Sequence, residues 1–369
     1  GDLPAGVVTH DFSAAYNFSP DTSGYAHGAA CSEIAYDMAP GATVHLYAWS
    51  TEAEFGNAVN NYIGVAGKKV ATMSVSFVNA GPYDGTGSIN TIVDNAQTAG
   101  ILWANSAGNY QKQHWSGTAA ASSDGESVAF GTGNIEGIGP TSGSLWNVSS
   151  GTSLRIFLEW NDWNAARTGN QNHIDYDVEL YRWTGTTWTY IPGAAADQCG
   201  TTTAPVESLS YTVPSGGPYS YGIAIWRYQV TGTCTNNFGH WLNLFTFNGF
   251  RQTGSGAVNA FWYVNECNSV TIPADGSSAV TTGATYHGED TLSPLYGLET
   301  FTSQGPRNAF GGGNPGTTVN KPDVVAPDGV NTVTYGVNTG NYASATVTGF
   351  FGTSSSAPHV AGLAASVWE

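Results

Sequence analysis

The chain has 369 residues, and its net charge of −17, from 10 Lys and Arg against 27 Asp and Glu, argues against nucleic acid or an anionic membrane surface as partner. Only 10% of residues are charged, while Gly numbers 48 and Tyr 19, the texture of an exported protein rich in β-structure and loops. No run of 18 apolar residues is present to span a membrane, and the length predicts a large core domain plus a second module.

From the N-terminus, residues 2–23 read as loop, with one short apolar run, Val7-Val8-Thr9, leading to His10-Asp11. At His27 the pattern becomes helical: Ala30, Cys31, Ile34 and Ala35 share one face, and Pro40-Gly41 closes the segment. A strand over 43–49 follows, then a helix whose Thr51-x-x-Glu54 capping box precedes Phe55, Val59, Tyr62 and Ile63. A strand over 70–77, a helix marked by Ile89, Ile92, Val93 and Ala96, and a strand over 101–104 continue the alternation. Such alternation implies an α/β domain with a parallel sheet and helices on both faces, its sites at the carboxyl ends of the strands.

After about Gln113 the period changes to two. Leu154, Ile156, Leu158 and Trp160 share one face opposite Arg155, Phe157 and Glu159, and similar runs cover 176–183, 221–228 and 241–247. Short strands without helices predict an antiparallel β-sandwich inserted into the α/β domain. From about Ser269 the first texture returns, with a strand over 279–286, the run Lys321-Pro322-Asp323-Val324-Val325-Ala326-Pro327, and the closing stretch 352–362. The expected division is 1–116 and 269–369 for the α/β domain, with 117–268 as the insert.

No signal peptide is visible, and Gly1-Asp2-Leu3-Pro4 is not a natural start, so the expectation is a secreted, extracellular protein whose export signal is gone. Four cysteines are too few for a disulfide scaffold and fit no zinc spacing. Cys199 and Cys234 both lie in polar loops and can bridge in an oxidising compartment; the spacing leaves open whether they do. Cys31 reads as a buried small hydrophobe.

The closing stretch, Gly352-Thr353-Ser354-Ser355-Ser356-Ala357-Pro358-His359-Val360-Ala361-Gly362, opens a helix on a serine. A hydroxyl there lies beside backbone N–H groups without intrahelical partners, so a forming oxyanion meets a donor already in place. Taken alone, the same string also suits a flexible turn capping an ordinary helix. A serine needs a base within reach. His359 is nearest in sequence, but five helical residues turn about 500°, leaving it about 140° away from Ser354 and structural. His27, at a helix N-terminus and followed by Gly28, is the better base. Ala107-Gly108-Asn109 is either a plain turn or a source of a side-chain N–H for the oxyanion.

The eleven-residue string closely resembles the nucleophile motif of the subtilisin-like serine proteases, the subtilases. His27-Gly28-Ala29-Ala30 with Ala39-Pro40-Gly41-Ala42 resembles their histidine motif, although Ala29 and Ala30 stand where many relatives have threonine and histidine or valine. Ala107-Gly108-Asn109 resembles their oxyanion segment. The resemblance implies a serine endopeptidase acting on proteins or peptides, with Ser354 as nucleophile, His27 as general base and Asn109 as oxyanion donor. Met73-Ser74-Val75-Ser76 resembles the substrate-binding edge, implying that Ser74, Val75, Ser76 and Gly108 meet an extended peptide; an ordinary core strand is the alternative. Residues 154–160 with Asp175-Tyr176-Asp177-Val178-Glu179-Leu180-Tyr181 resemble the pre-peptidase C-terminal type of sandwich.

The family's acid is where the pattern fails. Asp11 is the substitute, but it stands 16 residues before His27 and is followed by Phe12-Ser13 rather than a small residue and glycine. The expectation is that the acid and its strand lie upstream of Gly1 in a longer coding sequence, with Glu369 ending abruptly inside the nucleophile helix. The resemblance implies no cofactor for catalysis and no catalytic metal. Structural calcium is frequent in the family, with Asp124, Asp175 and Asp177 as candidate oxygen ligands, although no loop matches a calcium signature. The competing reading is a degenerate relative whose aromatic-rich sandwich binds protein or glycan. P1 preference and oligomeric state are left open.

Overall fold

The computed structural model describes residues 3–13, 27–163, 173–198, 203–228, 238–247, 259–287, 297–307, 319–337 and 349–368. The first α/β part runs β1 (Val8–Asp11), α1 (His27–Met38), β2 (His45–Ala48), α2 (Glu52–Ile63), β3 (Val70–Met73), α3 (Ser88–Thr98) and β4 (Leu102–Ser106). A run of strands follows: β5 (His114–Thr118), β6 (Glu136–Gly137), β7 (Ser153–Trp160), β8 (Tyr176–Trp183), β9 (Trp188–Ala194), β10 (Val206–Thr212), β11 (Ser220–Arg227) and β12 (Trp241–Phe247). The chain then returns through β13 (Ala279–Tyr286), β14 (Val324–Asp328) and α4 (Thr353–Trp368).

The core sheet has the order β14-β13-β4-β3 with every pairing parallel. Its strands come from both sides of the antiparallel segment, so the α/β fold closes only when residues before β5 and after β12 meet. The Thr51 capping box forms as expected, Thr51 Oγ1 accepting from the Glu54 N–H at 3.2 Å and Glu54 Oε2 accepting from the Thr51 N–H at 2.9 Å. That fixes the start of α2, whose Phe55 and Val59 join Ile89 and Val93 of α3 over Met73, Trp103 and Ala279. α4 lies across the sheet, touching β3, β4, β13 and β14, with α1 beside it.

The two helices approach closely because residue 362 is glycine: a Cβ there would stand 2.5 Å from Met38 Cβ and 2.8 Å from the Ala35 carbonyl oxygen. Near their other ends the Cys31 thiol donates to the Ser354 carbonyl oxygen at 3.5 Å. Residues 31 to 38 therefore run alongside residues 354 to 362 in the same direction, which brings both helix N-termini to one end of the sheet.

The period-two runs form two four-stranded antiparallel sheets, β10-β7-β12-β5 and β6-β11-β8-β9. Leu154, Ile156, Leu158 and Trp160 point into their shared core with Val178, Leu180, Ile223, Ile225, Leu242 and Leu244. The opposite face of β7 and β12 is covered as well. Phe245 is buried with Tyr83, Ile89 and Ile272 of the α/β core, and Phe157 and Phe247 pack beside it. The antiparallel sheets thus pack on the α/β core through aromatic contacts. The strand expected over 70–77 stops at Met73, because Ser74 turns out of the sheet toward α4. Cys31 is buried and Cys267 exposed, while Cys199 and Cys234 lie outside the described residues. Among the described residues no helix is long and apolar enough to cross a membrane.

Candidate active site

Ser354 is the second residue of α4, at the carboxyl end of the core strands. The turn that delivers it is fixed from two sides. Gly352 has φ +108°, a conformation that excludes side chains, and a Cβ at that position would stand 2.9 Å from Asn109 Nδ2. Its N–H donates to Asp328 Oδ2 at 2.9 Å. The next residue is held by Asn109, whose Oδ1 accepts from the Thr353 N–H and the Thr353 hydroxyl, both at 3.0 Å. Thr353 Oγ1 in turn accepts from the Gly108 N–H at 3.2 Å.

This clamp has a chemical consequence. With Oδ1 facing two donors, the amide orientation is determined, and Nδ2 is the end that faces Gly352 and the open side of the turn. The Ser354 N–H, inside the first helical turn, has no intrahelical acceptor. Two N–H donors at the turn, Asn109 Nδ2 and the Ser354 N–H, are therefore not spent on Thr353 or on the helix.

The Ser354 backbone is anchored while its side chain is not. Its carbonyl accepts from Ser74 Oγ at 2.9 Å and from Cys31, whereas its own hydroxyl reaches the Ser74 carbonyl at only 3.5 Å. Burial pushes the Cys31 thiol up to about 12, so it serves as a neutral donor and not as a thiolate. Of the expected binding edge, Val75 is 42% exposed beside Ser74, whereas Ser76 Oγ is occupied by the Thr271 hydroxyl at 2.7 Å. Gly108 is buried, with φ +102° and its N–H spent on Thr353.

His27 opens α1 at the same end of the sheet, its ring edge-on to Phe350 with centroids 5.5 Å apart. Burial lowers its pKa below the ordinary histidine value, which favours the neutral form a base requires. No hydrogen bond joins His27 to Ser354 in this structure, and such contacts often tighten only with substrate. His359 bonds the Ser355 carbonyl at 2.9 Å, on its own helix. Asp11 ends β1, a short strand in the stretch that the sequence reads as loop; it is exposed, and its Oδ1 accepts from the Ser13 N–H and hydroxyl at 2.9 and 2.7 Å. No hydrogen bond links it to His27.

The sheet itself is interrupted beside this histidine. β1 pairs with β2 in parallel, yet β2 and β3 do not pair; a cavity of about 850 Å³ separates them. Residues 43–49 and 70–75 border it from the two sides, with His27 and Ala361 among the helix residues that line it. Sequence reasoning overlooked Asp328, which is buried and accepts from the Gly352 N–H; it directly follows the 321–327 run, which carries no signal for that role. Among the described residues no three His, Cys, Asp or Glu side chains are grouped to hold a metal ion. Asp124 in particular is committed to its own loop, accepting from the Glu126 and Ser127 N–H groups and from Asn134 Nδ2.

Ser354 thus stands at a helix start at the carboxyl end of a parallel sheet, with Asn109 bonded to the residue just before it. In comparison with known proteins, residues 206–369 match the model of the subtilase family, Peptidase_S8. That match begins at β10 and includes Ser354, while His27, Ser74 and Asn109 lie before it and reach it through the shared core sheet. Among solved structures, the CspB protease of Clostridium perfringens is similar in fold, with TM-score 0.50 and 15% identity over 89% of this chain. The chain spans 63% of that protease's length. No curated protein matches the sequence.

Proposed function

We propose that the chain is a secreted serine endopeptidase that hydrolyses peptide bonds through an acyl-enzyme on Ser354. The observation that carries this reading is the Asn109–Thr353 clamp, which turns Asn109 Nδ2 toward the nucleophile turn instead of spending it in a structural bond. In the proposed cycle His27 takes the proton of Ser354 Oγ as it attacks the scissile carbonyl. The resulting oxyanion is held by Asn109 Nδ2 and the Ser354 N–H, and His27 returns the proton to the leaving amine. Water then enters by the same route in reverse. An extended substrate runs beside exposed Val75, adding a strand next to the Ser74 carbonyl.

The acid that orients His27 is assigned to an extended segment seated between β2 and β3. The argument is one of pairing: among the described residues each strand has a neighbour on one side only, and both open edges border the cavity that His27 lines. A strand inserted there would join the two sheet pieces and direct its carboxyl end toward His27. The sandwich, over about 117–268, is assigned to the pre-peptidase C-terminal type, where it buttresses the catalytic core.

Labelling with a fluorophosphonate tests the assignment. The full-length protein should react at Ser354, and Ser354→Ala should abolish labelling and peptide hydrolysis together. Labelling that survives the substitution overturns the nucleophile assignment and leaves the binding-module reading in its place.

A further inference from the structure

Helix α4 cannot complete its own hydrogen bonding at Ser354. Each carbonyl of an α-helix accepts from the N–H four residues on, and for Ser354 that residue is Pro358, which has no N–H. The proline ring also crowds the carbonyl four residues before it and tilts it away from the helix axis. A carbonyl deprived of its partner inside a fold costs free energy until another donor replaces the lost one.

The replacement comes from outside the helix. Ser74 Oγ donates to the Ser354 carbonyl at 2.9 Å, and the Cys31 thiol donates to it at 3.5 Å. The first is an ordinary hydroxyl bond and the second a long contact from a weak donor, so Ser74 is the main anchor. Ser74 directly follows β3 and precedes exposed Val75, while its own carbonyl lies 3.5 Å from Ser354 Oγ. Cys31 stands one turn after His27 on α1. The other side of the residue is held independently, the Thr353 N–H donating to Asn109 Oδ1 at 3.0 Å. Ser354 is thus fixed before and after by side chains from other elements, and the bond that α4 itself would have made is the one that Pro358 removes.

We propose that the Ser74 hydroxyl is a positioning group for the nucleophile. It stands in for the N–H missing at Pro358 and joins Ser354 to the edge along which the substrate is proposed to lie. The inference rests on Ser354 being the nucleophile. Ser74 then works through two separate parts: its main chain belongs to the peptide-binding edge, and its hydroxyl sets the backbone from which Ser354 Oγ projects. Without the hydroxyl the carbonyl keeps only the long thiol contact, and the serine can drift from the oxyanion donors while the edge stays intact.

The test is a double-mutant cycle in the full-length protein, read by fluorophosphonate labelling, peptide hydrolysis and melting temperature. Ser74→Ala leaves the main chain of the edge in place, so KM should stay within about twofold while kcat and labelling rate fall about tenfold. Pro358→Ala returns a helical N–H to the Ser354 carbonyl. In that background Ser74→Ala should cost less than about threefold, the coupling expected of two donors that share one acceptor. The proposal is overturned if Ser74→Ala labels within about twofold of the wild type, if its loss falls on KM instead of kcat, or if it costs the same in both backgrounds. Failure of the nucleophile reading looks different. Labelling would then persist in Ser354→Ala, while Ser74→Ala would still lower melting in the Pro358 background and not in the Pro358→Ala background.

Discussion

Replacing Gly362 by alanine tests whether helix packing, rather than local sequence, brings the base to the nucleophile. The added Cβ would meet Met38 Cβ at 2.5 Å and the Ala35 carbonyl oxygen at 2.8 Å, and part of this obstacle is backbone, which cannot rotate aside. Restoring an ordinary carbon contact of about 3.5–4.0 Å requires α1 and α4 to part by about 1 Å. Overpacking of this kind costs about 1–3 kcal/mol, and the better helix propensity of alanine returns about 1 kcal/mol, so the protein stays folded. The chemistry is less forgiving. His27 begins α1 and Ser354 is the second residue of α4, so the separation appears directly between the proposed base and nucleophile. A misplacement of about 1 Å can cost about 10²-fold in rate. Fluorophosphonate labelling and peptide hydrolysis should both fall by that order in Gly362→Ala, with melting lowered only slightly. A folded variant that labels within about twofold of the wild type would refute the argument that these two helices set the catalytic distance.

Three further outcomes follow from the site and its support. Asn109→Asp keeps an acceptor for Thr353 but removes the Nδ2 donor, so kcat should fall about 10²–10³-fold with KM and melting little changed, a magnitude drawn from subtilisin itself rather than worked from this chain. Asn109→Ala should lose the Thr353 clamp too, and melt earlier than Asn109→Asp. Burial lowers the His27 pKa, so labelling should persist into more acid solution than an ordinary histidine allows, with a midpoint below the usual value. The stability sign follows: below the unfolded histidine pKa the unfolded chain takes up a proton that folded His27 resists, so His27 subtracts stability as pH falls. Phe245→Ala removes the ring that joins the sandwich to Tyr83 and Ile272, and should cost about 3–5 kcal/mol. Urea unfolding of that variant should resolve into two transitions; a single unshifted transition would show that the two units are not coupled there.

Much of this protein is written in its local sequence. Period-two runs such as Leu154 to Trp160 gave their buried face correctly, because alternation in a sandwich strand is a direct consequence of the pleat. The Thr51 capping box and the start of α2 were legible for the same kind of reason, being contacts between residues three apart. Ser354 at a helix start also followed from adjacent residues. Other features depend on partners far away in the chain. The core strand expected to reach Phe77 ends at Met73 because the Ser74 hydroxyl is taken by the Ser354 carbonyl, 280 residues on. Phe157 and Phe247 sit against the α/β core, which no alternation pattern announces. Asn109 was a candidate donor by motif, but which end of its amide is free depends on Thr353, 244 residues away. The Gly352–Asp328 bond and the gap between β2 and β3 leave no periodic trace at all. Short-range order is fixed by propensity, capping and pleat, which neighbours in sequence supply. The distances between Ser354, His27, Asn109 and Asp328 are fixed by packing, and packing exists only once the chain has closed its sheet.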